Sequence, residues 1–512
     1  VKQPGLLSRT FAAIAPMRAA ARAEARVRLE RAEVRRAALS GVRNQYDGAS
    51  HSRRTQGWRR TGKDANYELM GAAQVLAQTA RDMVRNNPYA ERAVSAIATD
   101  VVGTGITFQV LRNGQPDEQL QALAKAHFET TACDADGRQN LYGLQLQAMR
   151  TIVESGAILF RNRPRFARDG LPVPFQLQAL EPDYLDANRN GLLDKFGSSI
   201  SGIQFDVIGN RVAYWLYPNH PGAIASRSLL ASPIPADQVI HVFRQDRPGQ
   251  QHGASWFAPV VMAMREFAEY QDGQLLRQKI AGAYAVFRIG YAGDDGEDPS
   301  PEDASDFIEP GMIEDLPAGG DVKFASPPGV EGYADFAKIS VRTFATGLNL
   351  PYDIFGDLEG VNFSSGRIGR IQYNRQLDGW TWNMLIPQFC EPAAAWFFRA
   401  ASLLGIDVEG CTMLWTPPAR PMLDIATEGP AIRDMVRAGL MDPETAIRER
   451  GEDPDMLLAA WKRWADKVDK AGLVFDCDPR RVTQVGNALQ PSNGGDTKPG
   501  ATVPAATKPA KG

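Results

Sequence analysis

A chain of 512 residues exceeds what one compact core holds, so two to four structural regions are expected. Its 44% hydrophobic and 23% charged residues are ordinary for a globular protein, and a formal net charge of -3 tells against a simple nucleic-acid clamp. Four cysteines far apart, Cys133, Cys390, Cys411 and Cys477, read as buried thiols of a reducing compartment rather than a disulfide framework or zinc site, and no apolar run reaches bilayer length, so no membrane anchor is expected.

Residues 1–40 are rich in arginine and alanine, with Arg18, Arg22, Arg26, Arg28, Arg31, Arg35 and Arg36 at roughly helical spacing. Glu24, Glu30 and Glu33 contradict the acid-poor pattern of a transit peptide, so the stretch reads as a basic, solvated helical arm. A helix is expected from Ala65 to Arg85. Asn87-Pro88 then starts another, because asparagine caps a helix and proline fits its first position. Ala93, Ile97 and Val101 give this helix its buried face, and Gly103 ends it.

Between Ser155 and Phe243 the period changes to alternation. Phe175, Leu177 and Ala179 alternate with glutamines, Ile203, Phe205 and Val207 do likewise, and the pattern resumes at Val212, Tyr214 and Leu216 after Gly209-Asn210. This antiparallel region set between helices makes the fold class α+β. A helix over 257–285 carries Val260, Met264 and Phe267, then Leu276 and Ile280, and exposes Arg265, Arg277 and Lys279. A short strand at 285–289, an acidic loop (Asp294, Asp295, Glu297, Asp298) and a strand-like VKFASP stretch follow.

Residues 333–348 form a short helix with Phe336, Ile339, Phe344 and Leu348 as its stripe, stopped at Asn349-Leu350-Pro351. The next segment, rich in glycine, serine and asparagine, reads as a mobile loop. A long helix then runs from Arg367, with Arg367, Arg370, Asn374 and Asp378 on a polar face. It becomes aromatic at Trp380, Trp382, Phe389, Trp396, Phe397 and Phe398, and Pro387 should kink it. From about Glu428 three short helices are expected. Asp442-Pro443 and Asp453-Pro454 begin two of them, Trp461 and Trp464 anchor the last, and the composition beyond Gln490 predicts disorder.

No catalytic constellation emerges. Gly57 to Lys63 has phosphate-loop spacing, but Asp64 stands where a hydroxyl should hold magnesium, and no apolar strand precedes it. Asp186, Asn188, Asn190, Gly191 and Asp194 mimic a calcium loop that lacks its final glutamate, so a polar turn is expected. Gly103-Thr104-Gly105 follows a helix instead of a strand and is too short for a dinucleotide fingerprint. His241 and His252 flank Asp246 and Arg247 with no nucleophile to serve, and His241 reads as a surface histidine. The acidic loop at 294–298 reads as solvated. No cofactor and no metal are expected.

In fixed order, VRNQYDGAS (42–50), RDMVRNNPYAERAV (81–94), GNRVAYWLYPNHPG (209–222), VIHVFRQDRPGQQHGASWFAPV (239–260) and LPYDIFGDLEGVNFSSGR (350–367) resemble the lambda-like family of tailed-bacteriophage portal proteins. The resemblance runs from about Gly41 to Gly472. It implies a portal fold of wing, stem, clip and crown. The wing is expected at 41–255, the first stem helix at 256–285, the clip at 286–332 and the second stem helix at 333–349. The tunnel loop is expected at 350–366, a long kinked helix back to the wing at 367–427, the crown at 428–485 and a disordered tail at 486–512.

The resemblance further implies a homo-oligomeric ring, a dodecamer, at one capsid vertex of a virion assembled in the host cytoplasm. Its partners would be double-stranded DNA passing through the channel, the terminase large subunit, the major capsid and scaffold proteins, and a head–tail adaptor, with no membrane. Glu359, Gly360, Asn362, Ser364, Ser365 and Arg367 are the expected tunnel-loop residues, while Arg277, Lys279, Lys338 and Arg342 line the stem channel or bridge subunits. The competing readings are a DNA-packaging nuclease or ATPase, for which a complete phosphate loop or metal cluster is missing, and another head–tail connector ring.

Overall fold

The computed structural model of the chain describes residues 27–34, 49, 53–193, 197–224, 230–282, 286–289, 321–324, 332–356, 363–422, 424–473, 475, 478 and 480. Two compact units are present, Val1–Lys63 and Asp64–Gly512. In the first, residues 27–34 are an exposed helix, and the rest of the expected arm lies outside the described residues. Arg60 sets its guanidinium 5.4 Å from the centre of the Trp58 ring.

The second unit opens with Asp64, whose carboxylate accepts the Tyr67 N–H at 3.0 Å and caps α1 (Ala65–Leu69). The residue at the magnesium position of the apparent phosphate loop is therefore a helix cap. After α2 (Ala72–Asn86), the Asn87 side chain accepts the N–H groups of Tyr89 and Ala90 and starts α3 (Pro88–Val102). Ala93, Ile97 and Val101 are buried on α3, as their spacing predicts.

Among the described residues every strand-to-strand pairing is antiparallel, in keeping with the α+β expectation. β1 (Thr107–Arg112) lies between β2 (Gln115–Pro116) and the late strand β13 (Cys411–Thr416). After α4 (Glu118–Phe128) and α5 (Leu141–Ser155), β3 (Ala157–Pro164) lies between β4 (Phe175–Leu180) and β10 (Val239–Phe243). A third sheet follows chain order through β5 (Gly191–Leu193), β6 (Gly197–Ile200), β7 (Ile203–Phe205), β8 (Arg211–Leu216) and β9 (Ser232–Pro235).

Val207 does not continue β7. The Asp206 carboxylate takes the N–H groups of Ile208 and Asn210, which turns the chain and leaves Val207 exposed. The calcium-loop mimic is a polar turn where it is described: Asn190 accepts the Ser201 N–H at 2.7 Å, and Asp186 accepts the Tyr217 hydroxyl at 3.1 Å.

Helix α6 (Val261–Gly282) leads to β11 (Val286–Ile289), which pairs with β12 (Asp321–Phe324). Helix α7 (Tyr333–Leu348) follows, and then α8 (Phe363–Trp380). Helix α8 starts ahead of the expected Arg367, so the backbone of Ser364 and Ser365 belongs to its first turn. It continues without a break through a π-helical stretch (Thr381–Cys390) into α9 (Glu391–Ser402). Pro387 lies inside the π stretch. Proline has no N–H to give and clashes with the carbonyl four residues back, and the wider turn makes room for the ring.

The C-terminal helices are α10 (Ile425–Arg437), α11 (Pro443–Arg448) and α12 (Pro454–Ala471), the last two capped by Asp442 and Asp453 as expected. Trp461 and Trp464 differ from expectation. They are 47% and 37% exposed, and Trp464 packs on Phe475 instead of on a core.

One large core joins α2, α3, α5, the β10-β3-β4 sheet and the long helix, and a second lies between that sheet and the five-stranded sheet. Two close backbone approaches set their geometry. A Cβ on Gly156 would stand 2.5 Å from the Ala254 carbonyl carbon, and one on Gly253 would stand 2.0 Å from the Gly156 oxygen, so the corner between α5 and β3 closes only on glycine. On α7, a Cβ at Gly347 would meet Val260 at 2.2 Å, which fixes how closely α7 approaches the start of α6. Cys133 and Cys390 are buried, and burial pushes the Cys133 thiol up to about 12, but Cys411 is half-exposed on β13. Cys477 lies outside the described residues.

Candidate functional site

Helices α6 and α7 form an antiparallel hairpin, and the aromatic residues on their stripes join it to the body. Phe267 meets Phe344 and Phe336 at ring-centre distances of 5.6 and 6.2 Å, and Tyr270 meets Phe336 at 4.5 Å. The Gln271 amide donates to the Tyr333 hydroxyl at 3.3 Å. Tyr89, from the first turn of α3, reaches Phe267, Phe344 and Phe355 at 5.9 to 6.1 Å. A single aromatic cluster thus holds α3, both hairpin helices and the segment after α7. Edge-to-face contacts of this kind add about 0.5–1.5 kcal/mol each beyond their buried area.

The chain leaving α7 is fixed before it reaches the loop. Asn349 adopts left-handed geometry at φ 56, and its N–H returns to the last turn of α7. The Leu350 N–H donates to the Ala345 carbonyl at 2.8 Å. Tyr352–Phe355 form a 3-10 turn in which Ile354 is buried, and its carbonyl accepts Arg92 Nε at 2.9 Å. The Arg342 guanidinium lies 5.3 Å from the centre of the Tyr352 ring.

The polar face of α8 binds inward. Arg367 pairs with Glu428 at 3.6 Å and Arg370 with Asp100 at 4.0 Å. Asp378 accepts Arg420 at 3.1 Å, and Arg420 also donates to the Asp100 carbonyl. These ion pairs are partly exposed and each contributes modestly, but together they orient α8 against α3 and the 420–428 segment.

Of the residues singled out in the sequence, Lys279 on α6 and Arg342 on α7 are exposed, and Arg277 and Lys338 are half-buried. Glu359, Gly360 and Asn362 lie outside the described residues. Ser364 and Ser365 are placed only by their backbone, and Arg367 is engaged with Glu428. Sequence reasoning missed Tyr89, Arg92 and Phe355. A signal existed in the aromatic residues recurring at Phe267 and Tyr270 and again at Tyr333 and Phe336, but nothing local tied them to Tyr89.

Two further clusters have structural explanations. His241 is buried, not at the surface, with its Nε2 3.3 Å from His252 Nδ1. Burial and the neighbouring His252 and Arg211 hold its pKa well below the usual histidine range. Glu181, Asp183 and His220 gather at metal-ligand spacing, but Arg81 already pairs with both carboxylates and supplies the counter-charge.

Comparison with known proteins points one way. Residues 51–381 match the family model described as phage portal protein, lambda family. A probable portal protein of Halomonas phage phiHAP-1 is 26% identical over 444 residues, covering 80% of this chain and 83% of that protein. Among solved structures, the chain is similar to a neck protein of the empty gene transfer agent particle (17% identity, TM-score 0.41, covering 78% of this chain and 96% of that one). It is also similar to an HK97-family phage portal protein from Corynebacterium diphtheriae (10% identity, TM-score 0.31, covering 64% of this chain and 92% of that one). With the family model matched over well more than half of its length, the chain belongs to the lambda family of phage portal proteins.

Proposed function

We propose that the chain is the subunit of a portal ring at one vertex of a phage capsid. The family match over residues 51–381 carries this reading. The ring serves genome packaging, head assembly and tail attachment, and its role is structural rather than catalytic. Electron microscopy and mass determination of the purified protein should find rings, dodecameric by mass, with a hole wide enough for a DNA duplex. Monomers that hydrolyse ATP or cut DNA would overturn it.

Duplex DNA slides through the ring. A channel for sliding must bind weakly, because each neutralised phosphate adds affinity by releasing counterions. A net charge of -3 and a loop of glycine, serine and asparagine suit that need, since small polar groups exchange hydrogen bonds with phosphate and water at little net free energy. In this reading Glu359, Gly360 and Asn362 belong to a loop that faces the channel, and Ser364, Ser365 and Arg367, in the opening turns of α8, flank it. Cysteines placed at Gly360, Asn362 or Ser364 in assembled rings should react only with reagents admitted to the lumen; labelling from the outer wall would refute the assignment.

Arg277, Lys279, Lys338 and Arg342 then line the channel or bridge adjacent copies along the hairpin of α6 and α7. Lys279→Glu should reduce DNA packaging or ring closure, and wild-type behaviour in both assays would dismiss the idea. The segment 286–332 is the proposed contact for the terminase large subunit or head–tail adaptor. A ring lacking it should still form yet fail to bind either protein. Capsid and scaffold proteins would meet the same ring during assembly in the host cytoplasm.

A further inference from the structure

A cavity of about 850 Å³ lies between the edge strand β10, strand β8 and the long helix. That is within the size range of sites that take small organic ligands. Nothing in the portal function described above uses it.

Several of the polar groups around this cavity offer donors. Arg211 spends one guanidinium nitrogen on the Tyr214 hydroxyl at 3.2 Å, which leaves it further N–H donors and leaves the phenol its own proton. The Gln388 carboxamide oxygen accepts the Phe243 N–H at 3.0 Å, so its NH2 group is what remains to offer. The acidic residue in the lining, Asp237, is already matched: its carboxylate pairs with Arg399 at 3.0 Å, and its carbonyl accepts the Trp396 indole N–H at 2.8 Å. His241, 6% exposed, also lines the cavity, and its Nδ1 has no partner among the described residues.

Asn210, Gln245, Gln250 and Gln251 add neutral carboxamides to the lining, and Phe243 and Trp396 are its largest apolar faces. A positive, donor-rich patch beside aromatic walls suits an anion attached to an apolar body. A carboxylate matches the guanidinium fork best, since it can accept two parallel N–H bonds. We propose that this cavity binds a carboxylate carried on an apolar body. The group comes either from a free organic acid or from an acidic side chain of a second copy of this chain.

The probe is 4-fluorophenylacetate, followed by fluorine NMR titration of the full-length protein. Saturable binding is expected. It should weaken about tenfold or more in Arg211→Gln, because a charge-assisted hydrogen bond is lost, and partly recover in Arg211→Lys. The neutral 4-fluorophenylacetamide should bind at least about tenfold more weakly than the acid. Arg211 is exposed, so its variants should keep the wild-type melting temperature, and that measurement confirms that weaker binding is not unfolding.

Comparison of monomer and ring fractions separates the two sources. Binding in both points to a free acid, and binding in monomers that disappears in rings points to a neighbouring copy. Absence of saturable binding in both fractions, equal binding of acid and amide, or an unchanged Arg211→Gln titration would overturn the proposal and leave the portal reading untouched.

Discussion

Replacing Phe344 by alanine is expected to destabilise the second unit by about 3–5 kcal/mol, the range for truncating a fully buried phenylalanine. Phe344 is 1% exposed and touches both Tyr89 and Phe267. These neighbours are held by two different helices, α3 and α6, and cannot collapse together, so the cavity should persist and the loss should lie near the upper end of that range. Phe336 belongs to the same cluster but is 43% exposed, and Phe336→Ala should cost much less. Urea unfolding monitored by tryptophan fluorescence measures both. Equal losses for the two variants would show that the cluster does not bear on the hairpin's stability as described.

The second large effect is acid sensitivity. His127 is fully buried among Phe128, Phe175 and Phe397, and neither of its ring nitrogens has a hydrogen-bond partner among the described residues. Burial lowers its pKa from the usual 6.5 to about 4, and burial does the same for His252. A histidine held neutral in the folded state is protonated first in the unfolded chain. Its stabilising contribution is therefore complete above pH 6.5 and is lost progressively as the pH falls from 6.5 toward 4. At pH 5 each of these two histidines should subtract about 2 kcal/mol relative to pH 8. Denaturant melts at the two pH values test this. In His127→Leu, which cannot titrate, the drop should shrink by about that amount; an unchanged drop would assign the acid sensitivity elsewhere.

What could be read from the sequence was local. Asn87-Pro88, Asp442-Pro443 and Asp453-Pro454 mark helix starts because the cap and the first-turn proline act within three residues of each other. The antiparallel strands were legible from alternation, yet Val207 was not, because one carboxylate at Asp206 overrides the period. His241 was misread for a different reason. Alternation assumes that one strand face meets water, but β10 is buried on both faces, with the five-stranded sheet covering the second. The polar face of α8 was visible as polar, while its partners Glu428, Asp100 and Arg420 come from distant segments. The contacts of Ile354 and Phe355 after α7, with Arg92 and Tyr89, join residues far apart in sequence and had no local signal.

The π-helical stretch also sets an angular phase. At α-helical pitch, the sixteen residues from Trp380 to Trp396 would leave the two indoles about 160° apart around the axis. Both are nevertheless buried, Trp380 against Trp256 and Trp396 with its N–H on the Asp237 carbonyl. Wider turns advance each residue through a smaller angle, and over Thr381–Cys390 that lag accumulates. The stretch works as a rotary offset between the halves of one rod, so its residue count sets which way α9 faces. Loss of a single residue there would swing Trp396 and Phe397 by about a quarter turn and uncouple the far end of the helix from its seat.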